Sequence, residues 1–174
     1  MSPDTAPDTE QLATQAGRAL RAAGLKAVTA ESCTGGGVAS ALTDVPGSSE
    51  WFERGYVTYS NAAKMQDLGV ERATLQTHGA VSAAVAEQMV TGALRVSGAD
   101  VAVGVTGIAG PDGGTLEKPV GLVYLAIGRR GTAVRVSREL FAGDRAAVRR
   151  AAVDAALQLL AQAAEPREFQ GKSP

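Results

Sequence analysis

The sequence predicts an α/β protein: a three-layer α/β/α sandwich around a mixed, largely parallel sheet with one C-terminal β-hairpin. Three observations carry this. Helix-period and strand-like segments alternate along most of the chain, the order that builds a parallel sheet with helices on both faces. The run 100–105 is almost wholly apolar, as a strand buried on both faces must be. Two more strand-like segments then face each other across Gly128-Arg129-Arg130-Gly131, and a last helix follows.

Taken in order, residues 1–8 read as a disordered lead-in whose last residue, Asp8, can cap a helix over about Thr9–Ala23. Leu12, Ala16, Ala19, Leu20 and Ala23 form its apolar stripe and Gly24 stops it. Lys26–Ala30 is a short strand, and Val38–Leu42 begins a helix after the turn Glu31-Ser32-Cys33-Thr34-Gly35-Gly36-Gly37. Pro46-Gly47-Ser48-Ser49 is a turn and cap before a short helix around Trp51. Gly55–Tyr59, rich in β-branched and aromatic residues, is a second strand. Asn61–Leu68 is a short helix. Ser82 caps another that runs to Ser97, with Val85, Met89, Ala93 and Val96 at helical spacing. Thr106–Pro119 is a glycine-rich loop, Val120–Ile127 and Thr132–Glu139 are the hairpin strands, and Asp144 caps a final helix to about Ala163. With no repeat or linker in view, residues 9–164 read as one domain, and 165–174 as a frayed tail.

Composition narrows the function classes. Hydrophobic residues make up 45% of the 174 and aromatics 4%, so the core must be built mainly from Ala, Val and Leu. A net charge of −1 argues against a nucleic-acid partner held by a broad cationic field, but leaves room for a local anion site. The single cysteine, Cys33, cannot form an internal disulfide, which fits a reducing compartment. No stretch resembles a secretory signal, and no apolar run approaches the ~20 residues of a membrane span, so a cytoplasmic protein without membrane contact is expected.

Three segments that are not core material fall at strand ends, where open α/β sheets gather ligands. Ser32 follows the first strand, and the glycines after it open a helix whose N–H groups suit a phosphate or a developing oxyanion. The same turn reads equally as a simple helix cap by Ser32 or Thr34. Tyr59, Asn61 and Lys64 cluster across a strand end and a first helical turn. A buried lysine there would lose its proton more readily and act as a base with tyrosine as relay; a solvated lysine would do nothing. The loop Gly107-Ile108-Ala109-Gly110-Pro111-Asp112-Gly113-Gly114 can offer N–H groups to an anion or carbonyl oxygen, yet lacks the Lys-Ser/Thr of a nucleoside-triphosphate loop. His78 is the only histidine, so neither a histidine-rich metal site nor a Ser–His–Asp triad is marked. Cys33 is a second candidate nucleophile, and Arg145, at the start of the last helix, either reaches a phosphate or is a surface arginine.

Together, Ala30-Glu31-Ser32-Cys33-Thr34-Gly35-Gly36, Tyr59-Ser60-Asn61-Ala62-Ala63-Lys64, Gly79-Ala80-Val81-Ser82 and Gly104-Val105-Thr106-Gly107-Ile108-Ala109-Gly110-Pro111, with Gly113-Gly114 and Lys118-Pro119-Val120-Gly121, resemble the C-terminal domain of CinA, the competence/damage-inducible protein. The resemblance runs from about Leu12 to Leu160. It implies a three-layer α/β fold and an amidohydrolase converting nicotinamide mononucleotide to nicotinate mononucleotide and ammonia, without metal or organic cofactor. It implies Ser32 as nucleophile, Lys64 and Tyr59 as its activators, and Thr106 and Arg145 in the nucleotide pocket. Thr34, Gly35, Gly36, Asn61, Gly107 and Gly110 are the further substrate-binding candidates. A homodimer is expected from the resemblance alone. The family often carries Asn-Glu-Ala-Lys where this chain has Asn61-Ala62-Ala63-Lys64, so any role of that glutamate is missing, and the activity of the N-terminal domain of longer relatives is not assigned here. A non-catalytic nucleotide-binding or interaction module, and an amidase for another small carboxamide, are the alternative readings.

Overall fold

A computed structural model describes residues 7–165. Residues 1–6 of the expected lead-in and 166–174 of the expected tail lie outside the described residues. Helix α1 (Thr9–Ala23) begins at a reciprocal cap, in which Asp8 accepts from the Gln11 N–H and the Gln11 side chain accepts from the Asp8 N–H. Gly24 ends it in the left-handed conformation that glycine adopts without steric cost. Strand β1 (Ala27–Glu31), helix α2 (Gly37–Thr43), a 3₁₀ turn (Ser48–Glu50), strand β2 (Phe52–Val57), helices α3 (Asn61–Leu68), α4 (Arg72–His78) and α5 (Ala83–Ser97), strands β3 (Val101–Gly107), β4 (Leu122–Arg129) and β5 (Arg135–Leu140), and helix α6 (Arg145–Ala164) follow.

The five strands form one sheet in the order β2-β1-β3-β4-β5. The pairs β1–β2 and β1–β3 are parallel, whereas β3–β4 and β4–β5 are antiparallel, so β4 alone runs against the other four. One face is covered by α1, α2 and α6 through Leu12, Leu20, Val38, Leu42, Leu157 and Leu160, against Val101, Val103 and Val105 of β3. The other is covered by α5, with α3 and α4 outside it, through Val85, Met89 and Val90 against Val28, Ala30 and Ala102. The period-two alternation along the central strands sends successive side chains to opposite layers. No helix among the described residues is long and apolar enough to cross a membrane.

Several boundaries differ from the expected ones, each for a tertiary reason. β2 starts three residues early, directly after buried Trp51, and ends at Val57, so Tyr59 stands beyond the strand. β3 continues through Thr106 and Gly107 because both pair with β4, at Tyr124 and Val123. β4 runs through Gly128 and Arg129, which pair with Ala102 and Val101, so the hairpin turn falls after them. Helix α4 was not foreseen: Leu75 is its only buried residue and its N-cap, Glu71, makes no side-chain capping bond, so little in the local pattern announces it.

Candidate active site

Because β1, β2 and β3 are parallel, their carboxyl ends share one edge of the sheet, and the segments that follow them meet there. Ser32 directly follows β1, Thr58 and Tyr59 follow β2, and Thr106 and Gly107 close β3. Between them lies a cleft of about 270 Å³ whose wall includes Ser32, Cys33, Tyr59, Lys64, Thr106 and Arg145, with Gly107 at the end of β3 and Gly110 from the glycine-rich loop.

Lys64 occupies the first turn of α3, whose cap is Ser60 accepting from the Ala63 N–H at 3.0 Å. Its side chain is fully buried. Nζ lies 2.9 Å from Ser32 Oγ, 2.6 Å from the Thr58 carbonyl oxygen and 3.5 Å from that of Tyr59. Burial lowers the pKa of this amine from its ordinary value to about 8, with a small opposing pull from the Cys33 thiol. A neutral amine has two N–H groups and one lone pair. The two carbonyls take the N–H groups, which leaves the lone pair for the Ser32 hydroxyl.

Glu31, which sequence reasoning passed over, shapes the turn after β1. Its carboxylate is fully buried and accepts four hydrogen bonds. Thr34 Oγ1 (2.7 Å), the Gly36 N–H (3.1 Å) and the Val38 N–H (3.1 Å) donate to Oε2, and the Ala39 N–H (2.9 Å) to Oε1. The start of α2 is thus neutralised from within the protein. Within the expected binding set, the Thr34 hydroxyl and the Gly36 N–H donate to Glu31, and the Gly35 N–H donates to the Ser32 carbonyl. Thr34, Gly35, Gly36 and Asn61 all fall outside the cleft wall, and Asn61 is exposed. The available signal was a carboxylate ending a strand buried on both faces, since a charge there demands several donors.

The other expected residues are brought together. Arg145 donates to the Gly110 carbonyl at 2.9 Å and to the Tyr59 hydroxyl at 3.2 Å, joining the glycine-rich loop, β2's end and α6 at the cleft mouth. The Tyr59 side chain is exposed at this mouth, and it is the Tyr59 carbonyl, not the phenol, that Lys64 meets. Thr106 is buried and donates to the Ala80 carbonyl at 2.8 Å. Cys33 is buried beside Ser32, and burial pushes its thiol up to about 11, against its own backbone N–H and the positive Lys64 and Arg149; it is a poor nucleophile. Exposed His78 ends α4, and its carbonyl accepts from Lys118. Arg149, also passed over, donates from Nε to the Cys33 carbonyl (3.2 Å) and from Nη2 to that of Thr34 (3.1 Å). Its place four residues after Arg145, on the same face of α6, was the signal available.

The model of the CinA C-terminal domain family matches residues 9–164. A nicotinamide-nucleotide amidohydrolase PncC of Escherichia coli (strain K12) is 57% identical over 153 residues, 87% of this chain and 92% of the relative. A protein of the same name from Pseudomonas putida is 57% identical over 151 residues, 87% and 94% of the two chains. Among solved structures, a competence/damage inducible protein, CihA, from Agrobacterium tumefaciens superposes with a TM-score of 0.89 at 47% identity, covering 95% of this chain and all of the other.

Proposed function

We propose, because this chain belongs to the CinA C-terminal domain family, that it hydrolyses the carboxamide of nicotinamide mononucleotide to nicotinate mononucleotide and ammonia, with Ser32 as nucleophile and Lys64 as base. The observation that carries this reading is the 2.9 Å contact between a hydroxyl at a strand end and a buried amine whose proton affinity is lowered by that burial. Neutral Lys64 takes the Ser32 proton as Oγ adds to the amide carbon. The tetrahedral oxyanion collapses, the C–N bond breaks, and ammonia leaves with the proton held by Lys64. Water then adds to the acyl-serine, its proton passes to Lys64, and Ser32 is released with the carboxylate product. No second base is required, because one amine holds and returns each proton in turn.

Arg145 and the Tyr59 hydroxyl, bonded to each other at the mouth, form the site for the substrate phosphate. On this reading Tyr59 serves substrate binding, where the sequence suggests a proton relay. The test is ammonia release from nicotinamide mononucleotide. Ser32→Ala and Lys64→Ala should each lose at least about 10³-fold in kcat. Arg145→Ala should raise KM about tenfold or more with little change in kcat. A Ser32→Ala protein with normal turnover would end this reading.

A further inference from the structure

The peptide groups after the nucleophile can be accounted for one by one. The Ser32 N–H donates to the Val105 carbonyl, that of Gly35 to Ser32 and that of Gly37 to Thr34, while those of Gly36 and Val38 go to the Glu31 carboxylate. Two N–H groups of this turn, those of Cys33 and Thr34, donate to no backbone acceptor among the described residues, and that of Cys33 meets only its own Sγ.

Both are oriented by Arg149. In a trans peptide the N–H and C=O point in opposite directions. Arg149 Nε holds the Cys33 carbonyl, so the Thr34 N–H of the same peptide points away from α6. Arg149 Nη2 holds the Thr34 carbonyl, which turns the Gly35 N–H toward the Ser32 carbonyl; that bond in turn sets the Cys33 N–H on the opposite side. The Nε bond therefore fixes the Thr34 donor, and the Nη2 bond, together with the Gly37 N–H on the same carbonyl, supports the Cys33 donor. Glu31 clamps the same turn from the other side, through Thr34 and α2.

We infer that Arg149 is a positioning residue, holding the Cys33 and Thr34 N–H groups as the oxyanion donors of the reaction. The inference rests on the hydrolase reading above and identifies donors which that reading leaves open. Arg149 touches neither substrate nor the Ser32–Lys64 pair; it acts through two peptide planes. The competing donors are the Ala109 and Gly110 N–H groups of the facing loop, for which no protein acceptor is present among the described residues.

The experiment compares wild type, Arg149→Ala and Arg149→Lys in ammonia release from nicotinamide mononucleotide and in the rate at which a fluorophosphonate labels Ser32, with the thermal midpoint of each protein recorded. An aligned donor contributes only once charge develops, so Arg149→Ala should lower kcat about 10²-fold with KM nearly unchanged, and slow labelling in parallel. Arg149→Lys, with one ammonium for two carbonyls, should fall between. Millimolar guanidinium ion should restore part of the activity of the alanine variant and none to wild type. Unchanged kcat and labelling, or a loss confined to KM, would overturn the inference and move the donors to the Ala109–Gly110 loop. If wild type labels but releases no ammonia, the substrate reading fails while the labelling rates still decide the donors. If Arg149→Ala does not fold, the kcat–KM split and the labelling rate of Arg149→Lys decide instead.

Discussion

The Lys64 amine nitrogen stands 2.9 Å from the Ser32 hydroxyl oxygen, across 32 residues of sequence and between two different elements of the fold. The amine is buried without a carboxylate partner: its neighbours are the hydroxyl and two backbone carbonyls. Burial therefore acts on it unopposed by any nearby anion except the weak influence of a thiol.

The first consequence is a pH profile. With Lys64 titrating near pH 8, kcat/KM for ammonia release should rise roughly tenfold per pH unit below that value and level off above it. A flat profile from pH 6 to 9 would remove Lys64 as the base.

The same group should leave a trace in stability. Below pH 8 the amine is charged in both folded and unfolded chains, and its burial cost is borne in full. Between about 8 and its ordinary value of 10.5 the folded chain has released the proton while the unfolded chain still holds it. The unfolded state then binds more protons, so stability rises with pH in this window, by at most about 3 kcal/mol. Cys33 works in reverse above pH 9, because its folded pKa is raised to about 11. Urea unfolding of wild type and Lys64→Met, compared pH by pH, cancels the cysteine contribution. The methionine variant should be relatively more stable at pH 7 and lose that advantage by pH 10.

Glu31→Gln keeps the shape but removes the charge and sets an NH₂ group against N–H donors of α2. A loss of about 2–3 kcal/mol in unfolding free energy is expected, with a lower kcat because the turn carrying Ser32 loosens. Stability within about 0.5 kcal/mol of wild type would show that the carboxylate is not what holds this turn.

Gly92 of α5 lies against the last turn of α3. A Cβ there would sit 1.9 Å from the Leu68 carbonyl oxygen, which is backbone and cannot rotate away. Gly92→Ala should cost about 1–3 kcal/mol by urea unfolding. It should also reduce activity, since α3 carries Lys64.

Cys33 should resist thiol reagents despite lying in the cleft wall. Its raised pKa leaves about 10²-fold less thiolate at neutral pH than an ordinary cysteine has, before access is counted. An aromatic disulfide reagent should label the native protein far more slowly than the urea-unfolded one. Fast labelling with loss of activity would reopen Cys33 as the nucleophile.

Much of this molecule is legible in its sequence. Asp8, Ser82 and Asp144 each cap the helix they precede, because capping depends on a side chain and an N–H two or three residues away. The apolar run of β3 could be read because burial on both faces leaves no room for polar alternation. Ser32 and Lys64 were legible as candidates through the motifs that contain them. Tyr59 was legible as well, but its direction was not: the ordinary end of a strand does not say whether a phenol turns to the amine or to Arg145, 86 residues on.

What the chain determined by itself is its local grammar: which segments are helices and strands, where most begin, and which turns carry hydroxyl, amine and glycine. Tertiary structure alone decided that one lysine loses its solvent, that Glu31 takes the donors at the start of α2, and that Arg149 reaches back across 116 residues to the turn beside the nucleophile. The division has a physical cause. Caps and periodicity are set over a few residues, whereas burial and the saturation of a donor depend on what the rest of the fold packs around it.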